Sequence, residues 1–222
     1  MRANFLQELA SIRTEVKEMG DKTTLSVRTA VNSFIGNNAE TALRSRQYEK
    51  EVDDMYKQID DRCIATIATQ QPAAADLRFL VSSIKIANEI ERVADYANNI
   101  AKIVQKKFPR MDLAALTPLS EKVKKIGDLA AGMLADAIKA YDVNDANLAS
   151  QVRERDAEVN KLNKALLKDI LNVAVSDPIS QEAVLEYNVA IRYIERVADR
   201  ATNIAELVFY TATGYRMKDK KS

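Results

Sequence analysis

The stretch IERVADYANNIA, residues 90–101, recurs as IERVADRATNIA, residues 194–205. Ten of the twelve positions are identical, and the copies lie 104 residues apart. A charged, partly apolar segment that occurs twice in one chain makes internal duplication the first possibility to test. Two upstream landmarks agree. VKEMGD at 16–21 matches VKKIGD at 123–128, and QYEKEVDDM at 47–55 matches ERDAEVNKL at 154–162, both at an offset of 107. The order is the same in each copy. The fall from 107 to 104 means that the second copy has lost three residues, which a loop accommodates most easily.

Helix breakers divide each copy into three. Gly36-Asn37-Asn38 and Asp142-Val143-Asn144-Asp145 are counterparts, as are Gln71-Pro72 and Asp177-Pro178. The segment from Phe108 to Pro118 holds two prolines and separates the halves. Between breakers, apolar residues recur at steps of three and four: Ile86, Ile90, Val93, Ala97, Ile100 and Val104 in one segment, and Val189, Tyr193, Val197, Ile204 and Val208 in another. The expected helices span about 3–35, 39–69 and 74–107, then about 117–141, 145–174 and 179–213. Long helices on short turns pack antiparallel. The expected fold is therefore all-α, two tandem antiparallel three-helix bundles related by internal duplication. The expected domains are residues 1–108, residues 116–214 and a basic tail, 215–222, that reads as a solvated end.

Composition narrows the function classes. Lys and Arg number 33 against 32 Asp and Glu, so the net charge is +1 and no electrostatic case for nucleic-acid binding exists. The N-terminal segment is charged and amphipathic rather than signal-like, and no 18-residue apolar run occurs. The single Cys63 has no partner for a disulfide within the chain and reads as a small buried hydrophobe in a reducing compartment. The chain has no His, so Ser–His and Cys–His pairs cannot form. No catalytic set is expected.

What remains is acidic. Glu91 and Asp95 are four apart and share a helix face, extended by Asn88 and Asn98. Glu195 and Asp199 repeat the pair beside Asn188 and Thr202. Glu49 and Asp53 supply a pair on the second helix, and Asp156 and Asn160 stand in the same place on the fifth. One such pair costs a helix only about 0.2–0.5 kcal/mol and alone reads as a solvated face with local ion pairs. If two pairs face each other across a helix interface, up to four carboxylates converge. They then need a counter-charge, which a hard cation supplies. Without His, the Glu-x-x-His signature of a ferritin-like di-iron centre is missing.

The motifs resemble those of the PhoU family. The resemblance is carried by RTEVKEMGD near the start and YEKEVDDMYKQIDDRC at 48–63. It continues in QPAAADLRFLVSSIKIANEIERVADYANNIA at 71–101 and YNVAIRYIERVADRATNIAELVFY at 187–210. It implies two tandem three-helix bundles that bind metal through surface E(D)-x-x-x-D motifs. By position, Glu49, Asp53, Glu91 and Asp95 would form the first site, and Asp156, Asn160, Glu195 and Asp199 the second. Asn160 departs from the acidic pattern and makes the second site poorer by one charge. The implied metal is a divalent or trivalent ion with oxygen ligands: Mg, Mn, Ca, Fe or Zn. The resemblance further implies a metal-binding cytoplasmic regulator of phosphate uptake and phosphate-starvation signalling. Its partners would be the phosphate ABC transporter ATPase, a phosphate-sensing histidine kinase or both, at the inner membrane through those partners. A homodimer stays open. So do two other readings: a metal-free helical scaffold whose ERVAD segments are salt-bridged faces, and a carboxylate-ligated di-metal enzyme.

Two residue groups outside the pairs carry expectations. Asp76 suits a helix N-terminus, and Arg78 suits packing, an acidic partner or a phosphate. Asp21 and Asp128, which follow the paired Gly20 and Gly127, are expected to approach the metal sites.

Overall fold

A computed structural model describes residues 2–176 and 181–217. Six long helices are present: α1 (Arg2–Ile35), α2 (Ala39–Gln70), α3 (Ala74–Lys106), α4 (Ser120–Val143), α5 (Ala146–Ser176) and α6 (Gln181–Thr213). The described residues contain no strand.

The breakers act through specific backbone chemistry. Asn38 caps α2, its side chain accepting from the Thr41 N–H at 2.8 Å. The left-handed turn before it falls on Asn37, at φ 45°, rather than on Gly36. Gln71 and Asn144 end α2 and α4 in the same left-handed conformation. Asp145 then opens α5, its Oδ1 accepting from the N–H groups of Asn147 and Leu148. The fourth helix begins at 120, not 117. Residues Ala114–Leu119 form 3-10 turns instead, because Pro118 has no N–H to give an α-helical ladder. The Asp177-Pro178 break lies outside the described residues. The connection in which the second copy loses its three residues includes 177–180, which lie outside the described residues.

Helices α1, α2 and α3 pack on one another, and so do α4, α5 and α6. The two bundles stand back to back: α1 packs on α4, and α3 packs on α6. One continuous core runs through both. This explains why α3 and α6 bury apolar residues around most of their circumference, while α2 buries a single stripe through Ala42, Val52, Ile59 and Cys63.

The join has an internal two-fold symmetry. Gly20 and Gly127 are equivalent at the 107 offset, and so are Val31 and Ile138. A Cβ on Gly20 would lie 2.5 Å from the Ile138 side chain, and one on Gly127 would lie 2.6 Å from Val31 Cγ1. Each glycine receives the branched residue of the other copy, so α1 and α4 run antiparallel in close approach. Aromatic residues close the ends by the same rule. Phe34 meets Tyr187 at 4.6 Å between ring centroids. In the mirrored pair, Tyr141 and Ser83 share a 2.7 Å hydrogen bond. Arg13 donates to the Asp142 carbonyl at 3.0 Å, which answers an unpaired acceptor at the α4 C-terminus.

Adding a methyl group at these contacts forces a core shift. We expect Gly20→Ala and Gly127→Ala each to lower unfolding free energy by about 1–3 kcal/mol in urea titrations. Gly132 has nothing within 4 Å of its Cβ direction. Gly132→Ala should therefore stabilise by about 0.5–1 kcal/mol, the helix propensity gain alone.

Candidate cation-binding faces

The apolar stripes of α3 orient its acidic residues. With Ile90, Val93, Ala94 and Ala97 fully buried, Glu91 is left partly covered at the flank toward α2, and Asp95 is exposed one turn on. On α2, burial of Val52 and Ile59 leaves Glu49 and Asp53 half-buried on the facing flank. The carboxylates share one field. The Glu91 carboxyl is raised above its ordinary 4.5, first by burial, then by Asp95, with Asp53 and Glu49 adding to it. The second copy repeats the arrangement between α5 and α6. Asp199 is raised by burial and then by Asp156 and Glu195. The pairs of each copy thus lie on two helices that pack together: the spacing of four sets each pair on one helix face, and the packing of α2 on α3 and of α5 on α6 sets the pairs side by side.

The stripes are not closed clusters. Among the described residues, no three carboxylates converge into a set that holds a metal as they stand. Asp53 is drawn along α2 by Lys57 at 2.7 Å. Asp156 Oδ2 accepts from the Asn160 amide at 2.8 Å, so that amide turns its N–H₂ rather than its oxygen toward the carboxylate. The other oxygen, Asp156 Oδ1, is buried with no hydrogen-bond partner. A buried carboxylate oxygen without a protein donor is a group that a hard cation would suit.

Ion pairing is sparse along the stripes. Among the described residues, Asp53 is the only one of the seven acids held by a Lys or Arg within 4 Å. The arginines of the second ERVADR segment are used elsewhere. Arg200 donates to Glu89 across the α3–α6 interface at 3.1 Å, and Arg196 lies 5.8 Å over the Tyr96 ring. In α3, Arg92 donates to Asn88. Asn98 is buried and accepts from Arg46 at 3.3 Å. Thr202 bonds back to the Ala198 carbonyl, and Asn188 Oδ1 is buried without a partner.

Other candidate residues have structural places. Cys63 is buried and its thiol is pushed up to about 12 by burial, so it is inert. Asp76 lies in the first turn of α3, where its charge meets the helix dipole without capping it; the cap position is Ala73. Arg78 lies 5.8 Å over the Tyr210 ring. Asp21 is held by Lys17 at 2.5 Å, and Asp128 is exposed.

Sequence reasoning missed the interface polar contacts. Positions 89 and 193 are equivalent at the 104 offset, as are 96 and 200. One pairing across the two-fold is the Glu89–Arg200 ion pair, and its mirror is the Tyr96–Tyr193 stack at 5.8 Å. The substitution of Tyr96 by Arg200 inside the repeated segment was the available signal.

These features define a class: a duplicated six-helix protein with paired acidic stripes. The PhoU domain family model matches residues 16–104 and 123–208, one match per copy. The chain belongs to the PhoU family. It is 32% identical over 215 residues to the phosphate-specific transport system accessory protein PhoU homolog of Pseudomonas putida, covering 95% of this chain and 81% of that one. The crystal structure of PhoU from Pseudomonas aeruginosa superposes with a TM-score of 0.89 at 31% identity, covering 95% of this chain and 100% of that one. The phosphate transport system regulatory protein PhoU from Streptococcus pneumoniae gives a TM-score of 0.85 at 25% identity, covering 96% and 99%.

Repulsion at Glu91 has a consequence for stability. Its raised carboxyl penalises the folded state above the folded pKa, and the penalty fades as pH falls through that value. In chelator at pH 7.5, Glu91→Gln should melt at a higher temperature than wild type, and the gap should close toward pH 4. With added Mn²⁺ the order should reverse, because a bound cation stabilises only the protein that holds it.

Proposed function

We propose that this protein is a metal-binding regulator of phosphate uptake and phosphate-starvation signalling. It acts as an adaptor between the phosphate ABC transporter, at its ATPase, and a phosphate-sensing histidine kinase. The support for the phosphate role is membership of a family whose relatives are accessory proteins of phosphate-specific transport systems, matched here over nearly the whole chain. No helix among the described residues is long and apolar enough to cross a membrane. The transporter and the kinase would be met at their cytoplasmic faces.

The observation that carries the metal part is the set of acids without cationic partners on both stripes. Glu49, Glu91 and Asp95 would hold a cation in the first copy, with Asp53 joining them once Lys57 is displaced. Asp156, Glu195 and Asp199 would do so in the second, with Asn160 offering its amide oxygen after rotating. The metal would neutralise each stripe and join α2 to α3 and α5 to α6, giving the docking surface a fixed shape and charge. Among the described residues the stripes carry one ion pair, Lys57–Asp53, which weighs against salt-bridged faces as the purpose of the ERVAD segments. A metal-dependent enzyme would need a substrate cleft at the acids. Two clefts, of about 1060 and 420 Å³, are lined by none of the eight residues.

Two measurements test the reading. Metal content of untagged protein, by elemental mass spectrometry, should fall in Asp95→Ala and in Asp199→Ala, with the larger loss in Asp95→Ala because Asn160 leaves the second stripe poorer. Equal content in wild type and the double variant would end the site assignment. Deletion of the gene should leave a phosphate-starvation reporter active in high phosphate, and re-expression should silence it. A reporter indifferent to the deletion would end the regulatory reading.

A further inference from the structure

The α3 helix carries a second pattern besides its core stripes. Ala74, Leu77, Val81, Ile84 and Asn88 follow one another at steps of three, four, three and four. That spacing is the seam of a helix–helix interface. The stripe forms one wall of the cleft of about 1060 Å³, which Leu207 and Tyr210 of α6 and, after α6, Arg216 and Met217 also line. Leu77 and Val81 are each 38% exposed, and Tyr210 is 37% exposed. The stripe is about 21 Å long, four turns of helix at 1.5 Å per residue.

Charge beside the seam has one sign left over. Arg78 and Lys85 are seven apart and occupy the same flanking position of the repeat, the position that pairs with charge on a partner helix. Neither has an ion pair among the described residues. The two acids in the cleft are already engaged: Glu89 by Arg200 and Glu206 by Arg153 at 3.2 Å. The second copy has no such seam. Its counterparts of Leu77, Ile84 and Asn88 are Gln181, Asn188 and Arg192, and its counterparts of Arg78 and Lys85 are Glu182 and Val189. Folding of the duplicated bundle therefore does not require the pattern.

We infer that the cleft between α3 and the C-terminal half of α6 is a docking groove for an amphipathic helix of a partner protein, with acidic residues flanking its apolar face. The apolar stripe supplies the seam, and Arg78 and Lys85 select the acidic flank. A second copy of this chain fits less well, since it would bring the same basic flank, Arg78 and Lys85, to a groove whose two acids are already engaged. The inference deepens the adaptor reading by giving the chemistry of one partner contact, but its test is independent of phosphate signalling.

The probe is a fluorescent 21-residue peptide with Leu at the seam positions and Glu at the flanks, measured by anisotropy against full-length protein. A Lys-flanked peptide is the control. We expect binding of the Glu peptide, at least tenfold weaker binding of the Lys peptide, and at least tenfold loss in Val81→Glu. The double variant Arg78→Glu, Lys85→Glu should reverse the preference between peptides. Circular dichroism checks that the variants are folded: Val81 and Lys85 are exposed, and Arg78 is partly buried over the Tyr210 ring. Equal binding of both peptides, or binding unaffected by Val81→Glu, would overturn the proposal. So would wild-type dimerisation in sedimentation that Val81→Glu abolishes, which makes a second copy the occupant. Peptide binding only after removal of residues 214–222 would give the groove to the chain's own C-terminal segment. Failure of the peptide with an intact reporter response would remove the groove alone and leave the regulator reading in place.

Discussion

Two helices cross at the centre of this molecule with a glycine of each against a branched side chain of the other. Gly20 takes Ile138, and Gly127 takes Val31. Everything outside depends on that approach. It brings α1 onto α4, and with them α3 onto α6, so that two bundles share a core neither could complete alone. A three-helix unit has two grooves to cover, and a sequence of about 100 residues buries only part of its apolar surface. Pairing two units back to back covers the remaining face.

The same pairing decides where charge can go. Helices α3 and α6 lie between neighbours on several sides, so their polar positions are confined to narrow flanks. The acids of the ERVAD segments occupy the flank toward α2 or α5, whereas the arginines of the second segment turn inward to α3. Separation of the two signs leaves carboxylates facing one another with little neutralising charge, and burial with mutual repulsion raises Glu91 and Asp199. A cation would relieve that repulsion and fasten the outer helix to the inner one. This is the physical content of the proposed regulator: a change in bound metal becomes a change in the surface offered to partners.

Duplication also frees one copy to diverge. At one pair of symmetric positions an ion pair, Glu89–Arg200, faces an aromatic stack, Tyr96–Tyr193. Both satisfy the α3–α6 interface. The exposed seam on α3 and its absence on α6 follow the same logic, since a surface stripe carries no folding requirement. A pseudo-symmetric frame can thus present different faces without changing its core.

The sequence by itself determined the helices and the duplication, and it set the acids four apart on single helix faces. Each follows from local chemistry: three- and four-residue apolar periods, Asn and Pro at the breaks, and acids four apart on one helical face. Only the tertiary structure decided how the copies meet, because a small residue in a helix looks the same whether it faces solvent or a branched side chain. It also decided that Lys57 holds Asp53 and that Asn160 turns its amide N–H₂ onto Asp156. Pro118 delayed α4 by three residues, a boundary set by one missing N–H rather than by the apolar pattern. The partners of Arg13, Arg196 and Arg200 were likewise out of reach of the sequence. A long flexible cation has many neighbours within range, and which of them it reaches depends on the packing of whole helices.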